Sequence, residues 1–200
     1  MRHLPNILTI GRIVLTPLVL VLLSVPSLAA QAGAVVLFMA ASASDYYDGV
    51  LARQMNVRSR LGQFLDPLAD KFLVLGTFVA FAVLTPRVVP WWAVGLIALR
   101  DVVVTGLRSW VESQGRTLRT LRIAKWKTML QLLFLWMLML LRTAAHVPGI
   151  VGRAADWVLY TSLLPTAALV LVVAFTLGTG ALYVLRPQEE SMPADPSSLS

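Results

Sequence analysis

Asp45, Asp48, Asp66 and Asp70 are four of only ten acidic residues in a chain of 200, and all four border long apolar stretches. A carboxylate left charged and unpaired in apolar surroundings is costly, so each of them demands a partner. The first two are spaced i, i+3 and the second two i, i+4, so each pair projects from one face of a helix. Two antiparallel helices joined by the short basic stretch 53–61 bring both pairs to the same depth. Four carboxylates that close repel and protonate unless a cation neutralises them. Hard oxygen donors favour Mg²⁺, Mn²⁺ or Ca²⁺, and four of them carry enough charge for two such ions. Gly49 and Gly62 expose backbone beside the acids and leave room for a bulky polar ligand. Arg53, one turn beyond Gly49, stands where a metal-bound phosphate could use it. The same residues fit two other readings equally: a proton or cation path through a transporter, or a structural cluster paired with Arg53, Arg58 and Lys71. Spacing alone does not choose among the three.

The elements that carry these acids belong in a membrane. Apolar residues make up 58% of the chain and charged ones 14%, with a mean hydropathy of +0.76, against about half and about a quarter in soluble domains. At about 20 residues per span the length allows roughly six or seven spans and no separate soluble domain. Cysteine is absent, which excludes disulfides, thiolate nucleophiles and Cys-bound metals; a metal falls to oxygen donors, His3 or His146. The first apolar run, 8–26, has the length and the small-residue sequel of a secretory signal. Arg12 within it and Pro5-Asn6 at its start favour instead a short interfacial helix leading into a retained span. Further spans are expected at 33–52, 63–84, 90–111, 124–141 and 157–185, the last long enough to tilt or run past the bilayer. The predicted fold is therefore an all-α integral membrane protein, with six transmembrane helices and an N-terminal interfacial amphipathic helix over residues 1–185. The tail 186–200, rich in Pro and Ser without apolar periodicity, is predicted to be disordered. With a cytoplasmic N-terminus the outer side receives only Arg87, Arg142 and Arg153, leaving 14 of the 17 basic residues inside. The formal charge of +7 then reads as topology and as contact with anionic head groups, not as a nucleic-acid footprint.

The stretch D-Y-Y-D-G-V-L-A-R, then eight residues, then G-Q-F-L-D-P-L-A-D, from Asp45 to Asp70, resembles the signature of the CDP-alcohol phosphatidyltransferases, D-x-x-D-G-x-x-A-R, eight residues, G-x-x-x-D-x-x-x-D. All eight specified positions agree. Pro5-Asn6 with Thr9, Arg12 and Pro17, Arg100-Asp101 with Thr105-Gly106-Leu107-Arg108, and Lys125-Trp126-Lys127-Thr128 with Gln131 look like the branch of that family that makes phosphatidylglycerophosphate. Two positions depart from that branch, which usually has Glu at Asp101 and Gly at Ala124. The resemblance covers roughly the first two thirds of the chain.

The resemblance implies transfer of the phosphatidyl group from CDP-diacylglycerol to glycerol 3-phosphate, with release of CMP. It further implies that Asp45, Asp48, Asp66 and Asp70 hold two Mg²⁺ or Mn²⁺ ions, Asp70 also acting as base. Gly49, Ala52, Arg53, Ser59 and Gly62 would surround the cytidine diphosphate, with Asn6 and Thr9 contributing from the N-terminal segment. The acceptor is a small dianion and calls for a cationic pocket, for which Arg100, Arg108 and Lys125 are the expected contacts. Lys127 reads equally as such a contact or as an inner-leaflet anchor. The six tryptophans read as interfacial belts, and the resemblance implies a homodimer in a bacterial inner membrane with its site open to the cytoplasm. The rival acceptors are phosphatidylglycerol, in a cardiolipin synthase, and an inositol phosphate.

Overall fold

The computed structural model describes residues 4–55, 60–114, 116–118, 122–185 and 189–191. Over 4–10, 12–13, 44–55, 60–70, 112–113, 116–118, 122–125, 183–184 and 189–191, and at Arg108, the description is of backbone alone. Seven helices account for nearly all of it: α1 (Leu4–Ser24), α2 (Leu28–Met55), α3 (Arg60–Leu84), α4 (Trp91–Ser113), α5 (Arg122–Ala145), α6 (Ile150–Tyr160) and α7 (Leu164–Leu185). Two three-residue strands, β1 (Arg116–Leu118) and β2 (Glu189–Ser191), pair antiparallel.

The breaks between helices fall where backbone chemistry requires them. Pro26 biases the residue before it away from helix and ends α1. Ser27 then caps α2, its Oγ accepting from the Ala30 amide at 3.2 Å. The Gln31 side chain reaches back, donating to the carbonyls of Leu23 at 2.8 Å and Val25 at 2.9 Å, so two carbonyls at the end of α1 and just beyond it are satisfied by a side chain. Gly149 precedes α6 with φ of 95°, a left-handed conformation that a side chain rarely adopts. The amides of Thr161 and Ser162 both donate to the Trp157 carbonyl and close α6, and Pro165 sits in the first turn of α7, where a missing N–H costs nothing.

Three differences from the sequence-based expectation follow. The apolar stretch 157–185 is two helices, because the chain turns at Thr161 and Ser162 before Pro165 restarts it. The N-terminal segment is one unbroken helix from Leu4 to Ser24, with no separate interfacial helix among the described residues. Pro17 is tolerated inside α1, as prolines in membrane helices commonly are. Within the tail, predicted to be without regular structure, Glu189–Ser191 form β2 against the segment that joins α4 to α5; a ladder needs only backbone donors and acceptors, which apolar periodicity does not register.

Helix α1 packs on α2 and α3, α4 on α7, and α5 touches α2, α3, α6 and α7. The core is apolar, with Phe38, Phe78, Phe81, Ile97, Leu135 and Leu138 all but inaccessible, and the rings of Phe78 and Phe134 stacked with centroids 5.9 Å apart. The outward faces are apolar too: Val14 and Val21 on α1, Val36 on α2, Phe72 and Val83 on α3, Leu99 and Val102 on α4, Leu133 on α5 and Leu171 on α7 are all exposed. A helical protein apolar both inside and out is built for lipid. Among the described residues, Trp126–Ala145 and Leu164–Leu182 are long and apolar enough to cross a bilayer.

Candidate active site

Helices α3, α4 and α5 enclose a cavity of about 180 Å³ lined by Lys71, Arg100, Asp101, Thr105, Lys127 and Gln131, with Val74 and Ile97 among its apolar walls. Among the described residues its lining carries three cationic side chains and one carboxylate. Such groups in a membrane bundle are expensive, so their partners show what holds them. Asp101 is the hub. One oxygen, Oδ1, accepts from Lys127 Nζ at 2.5 Å and from Arg100 Nη1 at 3.2 Å. Lys127 and Arg100 are 8% and 9% exposed, so neither charge is screened by bulk water.

Arg100 also reaches away from the cavity. Its Nε donates to the Thr176 carbonyl at 3.2 Å and its Nη2 to Thr179 Oγ1 at 3.3 Å, both on α7. The planar fork of five N–H groups suits this, since it can bond in several directions without moving. Gln131 donates to Thr176 Oγ1 at 3.3 Å, tying α5 to the same turn of α7. On the other side Lys71 donates to Thr105 Oγ1, and that hydroxyl donates in turn to the Asp101 carbonyl at 2.6 Å. A continuous polar chain thus runs from α3 through α4 to α5 and α7.

Of the residues expected to contact the acceptor, Arg100 lines this cavity. Arg108 lies two turns further along α4 and Lys125 in the first turn of α5, with their side chains outside the described residues. Lys127, which the sequence left between anchor and ligand, is buried in the cavity and paired. Asp45, Asp48, Gly49, Ala52 and Arg53 lie in the last three turns of α2, and Gly62, Asp66 and Asp70 in the first three of α3; Asn6 and Thr9 lie in the first two turns of α1. For all of these only the backbone is described, and Ser59 lies outside the described residues. Asp70 directly precedes Lys71 and stands one turn before Val74, both of which line the cavity.

Sequence reasoning missed Thr176 and Thr179. A threonine in an apolar helix usually bonds its own preceding carbonyls, as Thr77, Thr85 and Thr143 do here, so nothing in the sequence singles out the two that receive Arg100.

The chain belongs to the CDP-alcohol phosphatidyltransferase family, whose sequence model matches residues 2–178. Among its relatives is a protein of Cereibacter sphaeroides, 35% identical over 162 residues, which cover 78% of this chain and 72% of the relative. Proteins of Salmonella choleraesuis and Escherichia coli K12 are each 34% identical over 143 residues, covering 68% of this chain and 76% of theirs. All three carry the name CDP-diacylglycerol–glycerol-3-phosphate 3-phosphatidyltransferase.

Proposed function

We propose that the protein transfers the phosphatidyl group of CDP-diacylglycerol to glycerol 3-phosphate, giving phosphatidylglycerophosphate and CMP. The observation that carries this reading is a complete family signature, from Asp45 to Asp70, running directly into a cavity whose described lining carries three cations and one carboxylate. Family membership favours the metal-site reading among the three that spacing leaves open, and the excess of positive charge in the described lining suits a small phosphorylated alcohol.

The carboxylates fit a pair of hard divalent cations, Mg²⁺ or Mn²⁺. Asp45 and Asp48 stand 10 and 7 residues before the end of α2, and Asp66 and Asp70 stand 6 and 10 residues after the start of α3. At about 1.5 Å per residue, both pairs lie roughly 9–15 Å from the four-residue connection that joins the two helices. Ions held there supply countercharge for the diphosphate and for the departing CMP. The remaining work falls to the chain. Gly49 and Gly62 leave backbone open beside the nucleotide, with Ala52, Arg53 and Ser59 around it and Asn6 and Thr9 adding contacts from α1. Arg100, Arg108, Lys125 and Lys127 hold the acceptor phosphate. Asp70 takes the proton of the attacking hydroxyl as its oxygen bonds to the lipid phosphorus and the bond to CMP breaks.

In this reading α1 to α5 and α7 are the six spans, and α6 lies flat at the outer interface, its Gly152, Ala155 and Leu159 buried and its Val151 and Trp157 exposed. Exposed tryptophans support two interfaces: Trp91 and Trp92 open α4 and Trp157 sits on α6, while Trp110 and Trp126 stand at the opposite ends of α4 and α5. Trp91 and Trp110 are about 28 Å apart along α4, close to the thickness of a hydrocarbon core of about 30 Å. The site then faces the cytoplasm of a bacterial inner membrane, and the protein works as a homodimer.

Chelation tests the metal requirement. Purified protein stripped with excess EDTA is expected to lose CMP release almost completely and to regain it on addition of Mg²⁺ or Mn²⁺; full activity in the chelator would contradict the carboxylate site.

A further inference from the structure

Arg100 is held from behind by a turn of α7 that no part of the signature foreshadows. Thr176 offers its carbonyl to Nε at 3.2 Å and Thr179 its hydroxyl to Nη2 at 3.3 Å. The Thr179 hydroxyl is itself oriented, donating to the Thr176 carbonyl at 2.9 Å. Gly180 completes the seat by what it lacks: a Cβ there would stand 2.8 Å from Arg100 Cγ and 3.2 Å from Nε. The first of these atoms is near the root of the side chain and cannot swing aside without moving the guanidinium. Thr176 and Thr179 are buried, so water cannot replace either contact cheaply. Thr179 and Gly180 also lie past residue 178, where the family match ends.

We infer that Thr179 and Gly180 are positioning residues that set the cationic end of Arg100 in the acceptor cavity, and through the shared Asp101 carboxylate set Lys127 as well. The inference rests on the acceptor reading above. An arginine released from α7 keeps only its Nη1 contact to Asp101 and is free to pivot about it or swing along the lipid-facing surface, and the cavity then meets the acceptor phosphate with a misplaced charge. Among the described residues the seat's contacts run between α4, α5 and α7, so its effect is expected on the acceptor, with the nucleotide lipid spared.

The test is a double-mutant cycle in steady-state kinetics on the full-length protein, varying each substrate in turn. Thr179→Val is expected to raise the KM for glycerol 3-phosphate about tenfold, the scale of one hydrogen bond to a charged group, with the KM for CDP-diacylglycerol little changed. Thr179→Ser should restore it, and Gly180→Ala should give the same one-sided rise. In an Arg100→Ala background, Thr179→Val should add nothing, since there is no guanidinium left to hold. An unchanged acceptor KM in Thr179→Val, an equal rise in both KM values, or a full further rise in the Arg100→Ala background would overturn the inference. If the unmodified protein consumes a different alcohol, the acceptor reading fails by itself, and the same cycle run on that alcohol still decides whether the seat acts through Arg100.

Discussion

Asp66→Asn and Asp45→Asn are each expected to lower kcat by about a thousandfold or more and to weaken binding of CMP and CDP-diacylglycerol together, as loss of a preorganised charge stabiliser does. Asparagine keeps the size of the side chain and removes its charge, so the helices are undisturbed while the diphosphate loses its counter-ions. Asp70→Asn should behave differently. If Asp70 takes the acceptor proton, its loss removes turnover while leaving much of the nucleotide affinity, because the other three carboxylates remain. Calorimetric titration with CMP in the presence of Mg²⁺, alongside the rate, separates the two patterns. Undiminished nucleotide affinity in Asp45→Asn and Asp66→Asn would contradict the metal assignment, and wild-type turnover in Asp70→Asn would contradict its role as base.

Lys127→Met should produce the second largest effect, on the other substrate. Lys127 is 8% exposed and contacts the Asp101 carboxylate at 2.5 Å, and that carboxylate is only 19% exposed. Removing the ammonium therefore does two things at once: it takes a cation from the acceptor cavity, and it leaves Asp101 with one cationic partner fewer, facing the incoming phosphate. A rise of about a hundredfold in the KM for glycerol 3-phosphate is expected, with the KM for CDP-diacylglycerol within about twofold of its starting value, the signature of a contact made to one substrate only. Lys127→Arg restores the charge with a different shape and should recover part of the loss. Equal effects on both substrates would mean that Lys127 holds the bundle together and not the acceptor.

The residues differ in how openly the sequence declares them. The acids of α2 and α3 are legible because a charged side chain in an apolar run is conspicuous and its spacing defines a helix face. Some helix boundaries are legible too, since Pro26 and Pro90 mark them. The division of 157–185 is harder to see, because Thr161 and Ser162 interrupt hydropathy only slightly while the carbonyl of Trp157 terminates the helix. The cavity is the least legible part. Lys127 lies near the start of an apolar helix, where a lysine commonly anchors at the head groups, and only the position of α4 shows that it turns inward to Asp101. The α7 contacts of Arg100 join residues 76 and 79 positions apart, a separation over which no local pattern operates. Asp101, the departure from the usual Glu, offers one oxygen that accepts from both Arg100 and Lys127.

The most direct measurement of the central claim is CMP release from CDP-diacylglycerol by the purified protein with Mg²⁺, across a panel of acceptors offered separately: glycerol 3-phosphate, phosphatidylglycerol, an inositol phosphate, free glycerol and no alcohol at all. The account predicts release only with an alcohol present, and a kcat/KM for glycerol 3-phosphate at least about a hundredfold above that for free glycerol, the margin expected when buried cations lose the phosphate they are built to pair. Preference for phosphatidylglycerol or an inositol phosphate, or release of CMP without any acceptor, would contradict it.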